Sequence, residues 1–324
     1  GSKPIQLGSK PIPTGHTVEQ TFEAKVAVPP GDDPVTVTAV AYGEGDLSGR
    51  EQIRLLRGGA AGGAAQGKLG GKLYVLGVGV SRYKNSKFDL KYAHSDAASF
   101  GDLWKAGGAR LYDAIETTVL YDDQATTANV RAALFKLLEA ASEKDTVALF
   151  LSGHGIQATE GEYFFATHEI DPLTADSVRK TGLPWTALQT TLAGVKARRV
   201  LLFLDACHSG NALGAGQQAS GERMAELLAK RAGVMVFSSS RGSELSYELD
   251  SEKHGAFTRA LVEAIGEGKA DLDIAGAGKD GVVTAEEMLA YLRARVPALT
   301  QNRQTPSCPL LRDFGDAFPI ARTR

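Results

Sequence analysis

Cysteine is scarce in this chain: 324 residues hold two, Cys207 and Cys308, which stand 101 positions apart (308 − 207). That spacing and count exclude a disulfide framework and a four-thiolate zinc site. Nothing then demands an oxidising compartment, and the expected location is cytoplasmic. An excess of either charge is missing too. Lys and Arg total 36 against 38 Asp and Glu, a formal net charge of −2 with no charge runs, so neither nucleic acid nor an anionic membrane surface is an expected partner. No apolar run approaches the ~18 residues that would read as a membrane span, and no signal peptide is visible. The leading Gly1–Ser2 resembles a tag remnant, which leaves room for a native segment, with its targeting signal, ahead of it. What is present is a hydrophobic content of 43%, enough to bury the core of one large or two modest domains.

Residues 1–14 repeat Gly-Ser-Lys-Pro-Ile once and read as a tag-like or flexible segment. Residues 15–57 form a small β module of three runs, Thr21–Val28, Pro34–Tyr42 and Glu51–Arg57, separated by turn-rich Pro, Gly and Asp. Three strands make a poor independent fold. The module is therefore either the end of a longer, Ig-like domain or a sheet packed on its neighbour. Residues 58–71, almost entirely Gly and Ala, are a linker with too little side chain to offset its ordering entropy. From 72 to 324 strands and helices alternate. Strands are expected at Leu73–Val80, Thr117–Tyr121, Thr146–Leu151, Arg199–Asp205 and Val234–Ser238. Glu162–Thr167 reads as part of a hairpin, and Leu310–Leu311 as a last edge strand. Helices are expected around Ala93–Trp104, from Thr127 along the stripe Val130, Leu134, Leu137 and Ala141, and at Trp185–Leu192. Three more follow at Glu222–Arg231, Phe257–Ile265 and Ala285–Val296. Such alternation implies an α/β fold with a mainly parallel sheet covered by helices on both faces.

Two of these strands carry chemistry. Val200–Leu204, an unbroken apolar run, leads into Asp205–Ala206–Cys207–His208–Ser209–Gly210; Thr146–Leu151 leads into Ser152–Gly153–His154–Gly155. Reactive groups in open α/β sheets gather at the carboxyl ends of strands. A thiol attacks a carbonyl as thiolate, with an imidazole as base and later as acid for the leaving amine. Cys207 and His154 suit those roles. A lone cysteine at a strand end is commonly a small buried hydrophobe, but glycines flank the histidine and Ser209–Gly210 follow the thiol, leaving room for a substrate backbone. The backbone N–H groups of Gly155 and Cys207 can then form an oxyanion hole. His208, next to the thiol on a tight turn, points elsewhere. His16, His94, His168 and His254 show no ligand spacing and read as structural or exposed.

These motifs resemble the catalytic segments of the caspase-like cysteine proteases (peptidase family C14), nearest to the metacaspases and their bacterial relatives, the orthocaspases. Cys207 follows His154 by 53 positions (207 − 154), close to the roughly 50 of caspases. Similarity runs from about Leu73 to Pro309 and includes Leu90-Lys-Tyr-Ala-His-Ser-Asp96-Ala97, His254-Gly-Ala-Phe-Thr-Arg-Ala-Leu261 and Gln304-Thr-Pro306. The resemblance implies the caspase fold, with a mainly parallel sheet of about six strands, and peptide-bond hydrolysis by a dyad of Cys207 and His154. It also points to Asp96, Ser152 and Asp205 as the lining of the primary specificity pocket. Two carboxylates there would select Arg or Lys. The arginine that caspases proper use to bind aspartate is replaced by Leu90. Two rival readings stay open: a protease of this fold with another preference, for Asp or Asn, and a caspase-like adaptor that does not cut.

Other motifs fall away. Gly77-Val-Gly79 lacks the third glycine of a dinucleotide fingerprint, Arg82 standing in its place. Gly276 to Glu287 mimics a calcium loop, but glycines occupy positions one and three; Thr284 and Glu287 read as a capping box instead. No metal ligands are therefore assigned and no cofactor is required, while calcium activation through sites elsewhere, which many metacaspases use, stays open. Asn211–Gly221 and Arg241–Lys253 are the loops in which self-cleavage is expected, near Arg223, Lys230, Arg231, Arg241 and Lys253. An activating partner or the missing N-terminal context is the other route to activity.

Overall fold

The β-branched run Val35–Tyr42 (β1) pairs antiparallel with Ser48–Leu55 (β2), from Val35 opposite Leu55 to Tyr42 opposite Ser48. The computed structural model of the protein describes residues 35–42, 48–55 and 69–323. Within the last range it omits 198, 208–216, 219–224, 227, 230–233, 242–243, 275–278, 310 and 312–317. The first expected run, Thr21–Val28, lies outside the described residues. The chain separates into two compact units, Gly1–Gly58 and Gly59–Arg324.

In the second unit the elements alternate. Lys72–Gly79 (β3), Ala93–Gly107 (α1), Ala114–Tyr121 (β4) and Thr127–Ala140 (α2) come first. Then follow Thr146–Thr159 (β5), Glu162–Phe165 (β6), Ala175–Thr181 (α3), Leu183–Pro184 (β7) and Trp185–Gly194 (α4). Arg199–Cys207 (β8), Gln217–Gln218 (β9) and Met235–Ser238 (β10) come next. A small hairpin, Glu248–Leu249 (β11) and His254–Gly255 (β12), precedes Ala256–Leu261 (α5). Val282–Thr284 (β13), Ala285–Thr300 (α6) and Pro319–Arg322 (β14) end the chain.

Five strands run parallel in the order β10-β8-β5-β3-β4. Their near-continuous apolar composition is that of strands covered on both sides. Leu76, Leu149, Leu202 and Val236 meet α2 and α4 on one face, where Val130, Leu134, Trp185 and Leu188 are buried. Val75, Phe150, Phe203 and Phe237 meet α1, α5 and α6 on the other, against Phe100, Trp104, Phe257 and Met288. Helix α2 is capped one residue before the expected Thr127: Thr126 Oγ1 accepts the Asn129 N–H and Thr127 is the first helical residue. Helix α6 opens on the Thr284–Glu287 capping box.

The chain passes from β3 to β4 on one side, then from β4 back across β3 to β5 on the other. That reversal is the switch point at which open α/β sheets place ligands, beyond the carboxyl ends of the strands. Gly77 and Gly79, left over from the dinucleotide reading, find their use here. A Cβ on Gly79 would sit 2.0 Å from the Ala93 carbonyl oxygen, and one on Gly77 2.8 Å from that of Ala97. Bare backbone lets α1 lie directly on β3 and fixes where its first turn points. The late strand differs from expectation. Leu310 lies outside the described residues and Leu311 is not in a strand; the chain returns to β10 through a single bridge, Ser238 to Ser307. The last strand is β14, which pairs with β13 in a two-stranded sheet of its own.

Candidate active site

Strand β5 belongs to two sheets. It pairs parallel with β3 through Ser152 and with β8 through His154; past His154 it pairs antiparallel with β6, Gly155 opposite Phe165. His154 stands at the seam. Its register partner on β8 is Cys207, and adjacent strands are about 4.8 Å apart, so the two expected members of the dyad are neighbours in the sheet. The backbone of Cys207 is the part described. Gly155, the expected second oxyanion donor, follows on β5 and is buried.

The imidazole of His154 is 1% exposed and held from several directions. Its Nε2 lies 2.8 Å from the Phe88 carbonyl oxygen. A carbonyl only accepts, so Nε2 carries the proton and the basic lone pair of the neutral ring is at Nδ1. The Tyr83 ring stacks on it at 5.1 Å between centroids and 19°, and the Tyr83 hydroxyl oxygen accepts the His154 backbone N–H at 3.1 Å. The other thiol of the chain is unfit for nucleophilic work. Cys308 is buried, and desolvation pushes its thiol up to about 12, which keeps it protonated at neutral pH.

Two residues before each member of the dyad come Ser152 and Asp205, themselves register partners. Both are buried, and Asp96, in the first turn of α1, joins them from β3's side, also 2% exposed. The Gly255 N–H is shared by both Asp96 oxygens at 3.1 Å each, and His254 Nδ1 lies 2.9 Å from Oδ1. Thr258 Oγ1 reaches Asp205 Oδ2 at 3.5 Å. One construction shows that the carboxylates converge: a Cβ on Gly255 would lie 3.0 Å from Asp205 Oδ2 and 3.0 Å from Asp96 Oδ2. Burial raises the Asp96 carboxyl, while His254 and then Gly255 pull it back. Asp205 is pushed up to about 7, first by burial and then by the charge of Asp96, with the Ser246 and Ser239 hydroxyls opposing.

A family model described as the caspase domain matches residues 73–313. The chain belongs to the caspase-domain family of cysteine peptidases. The peptidase is similar to protein GSU0716 of Geobacter sulfurreducens, at 18% identity and a TM-score of 0.52. That match covers 78% of this chain and all of that one, and it shows a shared fold. Caspase-1 of Spodoptera frugiperda aligns at 12% identity and a TM-score of 0.45, over 79% of this chain and 92% of that one. No curated protein matches.

The peptidase thus has the caspase fold expected of its motifs. Of the residues singled out in the sequence, the structure brings Asp96, Ser152, His154, Asp205 and Cys207 to one rim of the sheet. His94 lies outside this group, bonded to Ser81, and His168 is tied to the Arg82 carbonyl oxygen. His254, expected to be structural or exposed, is hydrogen-bonded to Asp96. Its only signal in the sequence is the His254-Gly-Ala-Phe-Thr motif. His208 and most of Asn211–Gly221 lie outside the described residues. Among the described residues, no group of three His, Cys, Asp or Glu side chains is arranged to hold a metal ion, and no helix is long and apolar enough to cross a membrane. A cleft of about 200 Å³ bordered by Gly107, Arg110, Ile265 and Glu267 shares no residue with the site.

Proposed function

We propose that the peptidase is a metacaspase-like endopeptidase that cuts after Arg or Lys. The observation that carries this is the convergence of two buried carboxylates, Asp96 on α1 and Asp205 on β8, on Gly255, with Asp205 two positions along β8 from Cys207. Such a pair is costly unless a cation enters between its members, and Arg and Lys are the side chains that supply one. Ser152, in register with Asp205, completes the lining.

The chemistry then follows from the dyad. His154 takes the Cys207 proton at Nδ1, and the thiolate attacks the carbonyl carbon of the bond after the bound Arg or Lys. The oxyanion so formed is met by the N–H groups of Gly155 and Cys207. Collapse expels the amine, which leaves with the proton from His154, and the acyl group stays as a thioester on Cys207. Water, deprotonated by the same imidazole, attacks that thioester and regenerates the thiol. Substrates on this reading are proteins or peptides with accessible Arg or Lys.

A panel of reporter peptides differing only in the residue before the cut, Arg, Lys, Asp or Asn, tests the proposal, with Cys207→Ala as control. Arg and Lys are expected to exceed Asp by more than ~100-fold in kcat/KM, since a carboxylate beside two others costs several kcal/mol. Preference for Asp would overturn the pocket assignment, and turnover by the Cys207→Ala protein would overturn the dyad.

A further inference from the structure

We infer that His254 is the positioning residue of the cation pocket, the side chain that holds the Asp96 carboxylate in place and ionised for the incoming Arg or Lys. The inference rests on the Arg/Lys reading above and adds to it a residue outside the set on which that reading is based.

A carboxylate taken out of water stays charged when donors replace the water. Asp96 has two such donors among the described residues: the Gly255 N–H, one proton shared between both oxygens, and the His254 ring at 2.9 Å. His254 is the only side chain of the two. If Asp96 is ionised, the ring donates from Nδ1 in either of its own charge states, so the bond does not depend on His254 being a cation. Its effect on the Asp96 carboxyl is downward through both hydrogen bond and charge, and larger than that of Gly255.

The surrounding hairpin supports the same role. Leu249 pairs with His254 and Glu248 with Gly255, and the segment grips the start of α1. Glu248 accepts the backbone N–H groups of Lys91 and Tyr92 at 2.8 Å each. Asp250 binds the Lys91 ammonium and the Tyr92 hydroxyl, and the Lys253 carbonyl accepts from Ser95 Oγ at 3.2 Å. These contacts are polar and spread along the first turn of the helix that bears Asp96. They set its position more than they fill a core.

The groups facing the carboxylate pair from each packed element are few. Glu248 presses on Asp96 from β11; Asp205 stands beside it on β8 and has hydroxyls of its own, from Thr258 of α5 and from Ser239 and Ser246 beyond β10. Lys91 is taken up by Asp250, and Arg259 by Glu252, Glu263 and Glu267. Among the described residues, His254 is thus the group of positive tendency that touches the carboxylate pair.

The experiment compares wild type, His254→Gln and His254→Leu on Arg and Asp reporters between pH 6 and 9. His254→Leu is expected to raise KM for the Arg reporter about 10–100-fold near pH 6.5, the loss of one hydrogen bond to a charged group, while kcat falls far less. Without His254 the Asp96 carboxyl ionises at higher pH, so the acidic limb of kcat/KM moves upward and the defect shrinks toward pH 9. His254→Gln, whose amide donates to the same oxygen, recovers most of the loss. Reaction of the Leu variant with iodoacetamide at wild-type rate, together with an unchanged Tm, supports the role over mere folding damage. Wild type preferring Arg while KM and its pH profile stay unchanged in His254→Leu would overturn this inference alone. Wild type preferring Asp would overturn the pocket and this inference together.

Discussion

Asparagine in place of Asp205 should leave the peptidase more stable and almost unable to bind its substrate, and the size of the gain should depend on pH. The carboxyl sits at about 7 in the folded chain against 3.8 when free, because burial and the neighbouring Asp96 oppose its charge. Below pH 3.8 both folded and unfolded chains keep the proton and Asp205 costs nothing. Between 3.8 and about 7 the unfolded chain ionises while the folded one does not, so each pH unit removes about 1.4 kcal/mol of stability. Above about 7 the loss is complete. Asn has no such titration. Between pH 5 and pH 8 the stability of Asp205→Asn relative to wild type is therefore expected to grow by about 2–3 kcal/mol, roughly 5 °C in Tm for a unit of this size. Urea unfolding of both proteins at the two pH values measures it, and taking the difference cancels the titrating groups that do not interact with Asp205. A stability difference that stays the same at both pH values would refute the picture of a desolvated, mutually repelling pair. Loss of Arg and Lys turnover in the same variant would show that this stability is given up for binding, as is common at functional sites.

Two further outcomes bear on the dyad. His154→Gln should lower kcat by about 10²–10⁴-fold, the usual contribution of a positioned base, with KM for the Arg reporter little changed; a smaller drop would assign the base elsewhere. Incubated wild type should yield fragments ending at Arg223, Lys230, Arg231, Arg241 or Lys253, of which Arg241 and Lys253 are exposed, while Cys207→Ala stays whole. Mass spectrometry reads both, and identical cutting of the Cys207→Ala protein would assign the cleavage to another enzyme.

Much of the site was legible because it is written into buried strands. Thr146–Leu151 and Val200–Leu204 announce themselves as apolar runs, and the residues that follow each are small, polar and unusual. The continuation of β5 to Thr159 was not legible. Glycines at 153 and 155 lower β propensity locally, and pairing with β8, β6 and β9 overrides them. Gly77 and Gly79 read as a weak cofactor motif because the close approach of α1 that explains them is a tertiary fact. The pairing of His254 with Asp96 is hidden from the sequence for the same reason. The two residues are 158 positions apart, and no local periodicity records so distant a pairing. The edge strand expected at Leu310–Leu311 failed on another count: a short apolar pair after proline carries too little pattern to fix register.

Strand β5 carries the proposed base, His154, and one side of the proposed pocket, Ser152, at positions set by counting from Thr146. Because side chains along a strand alternate between faces, a single residue gained or lost before Ser152 would turn His154 away from Cys207 and Ser152 away from Asp205 at once. On this register, lengthening the chain beyond Thr159 leaves the pairing of His154 with Cys207 in place, whereas an insertion or deletion between Thr146 and His154 breaks it.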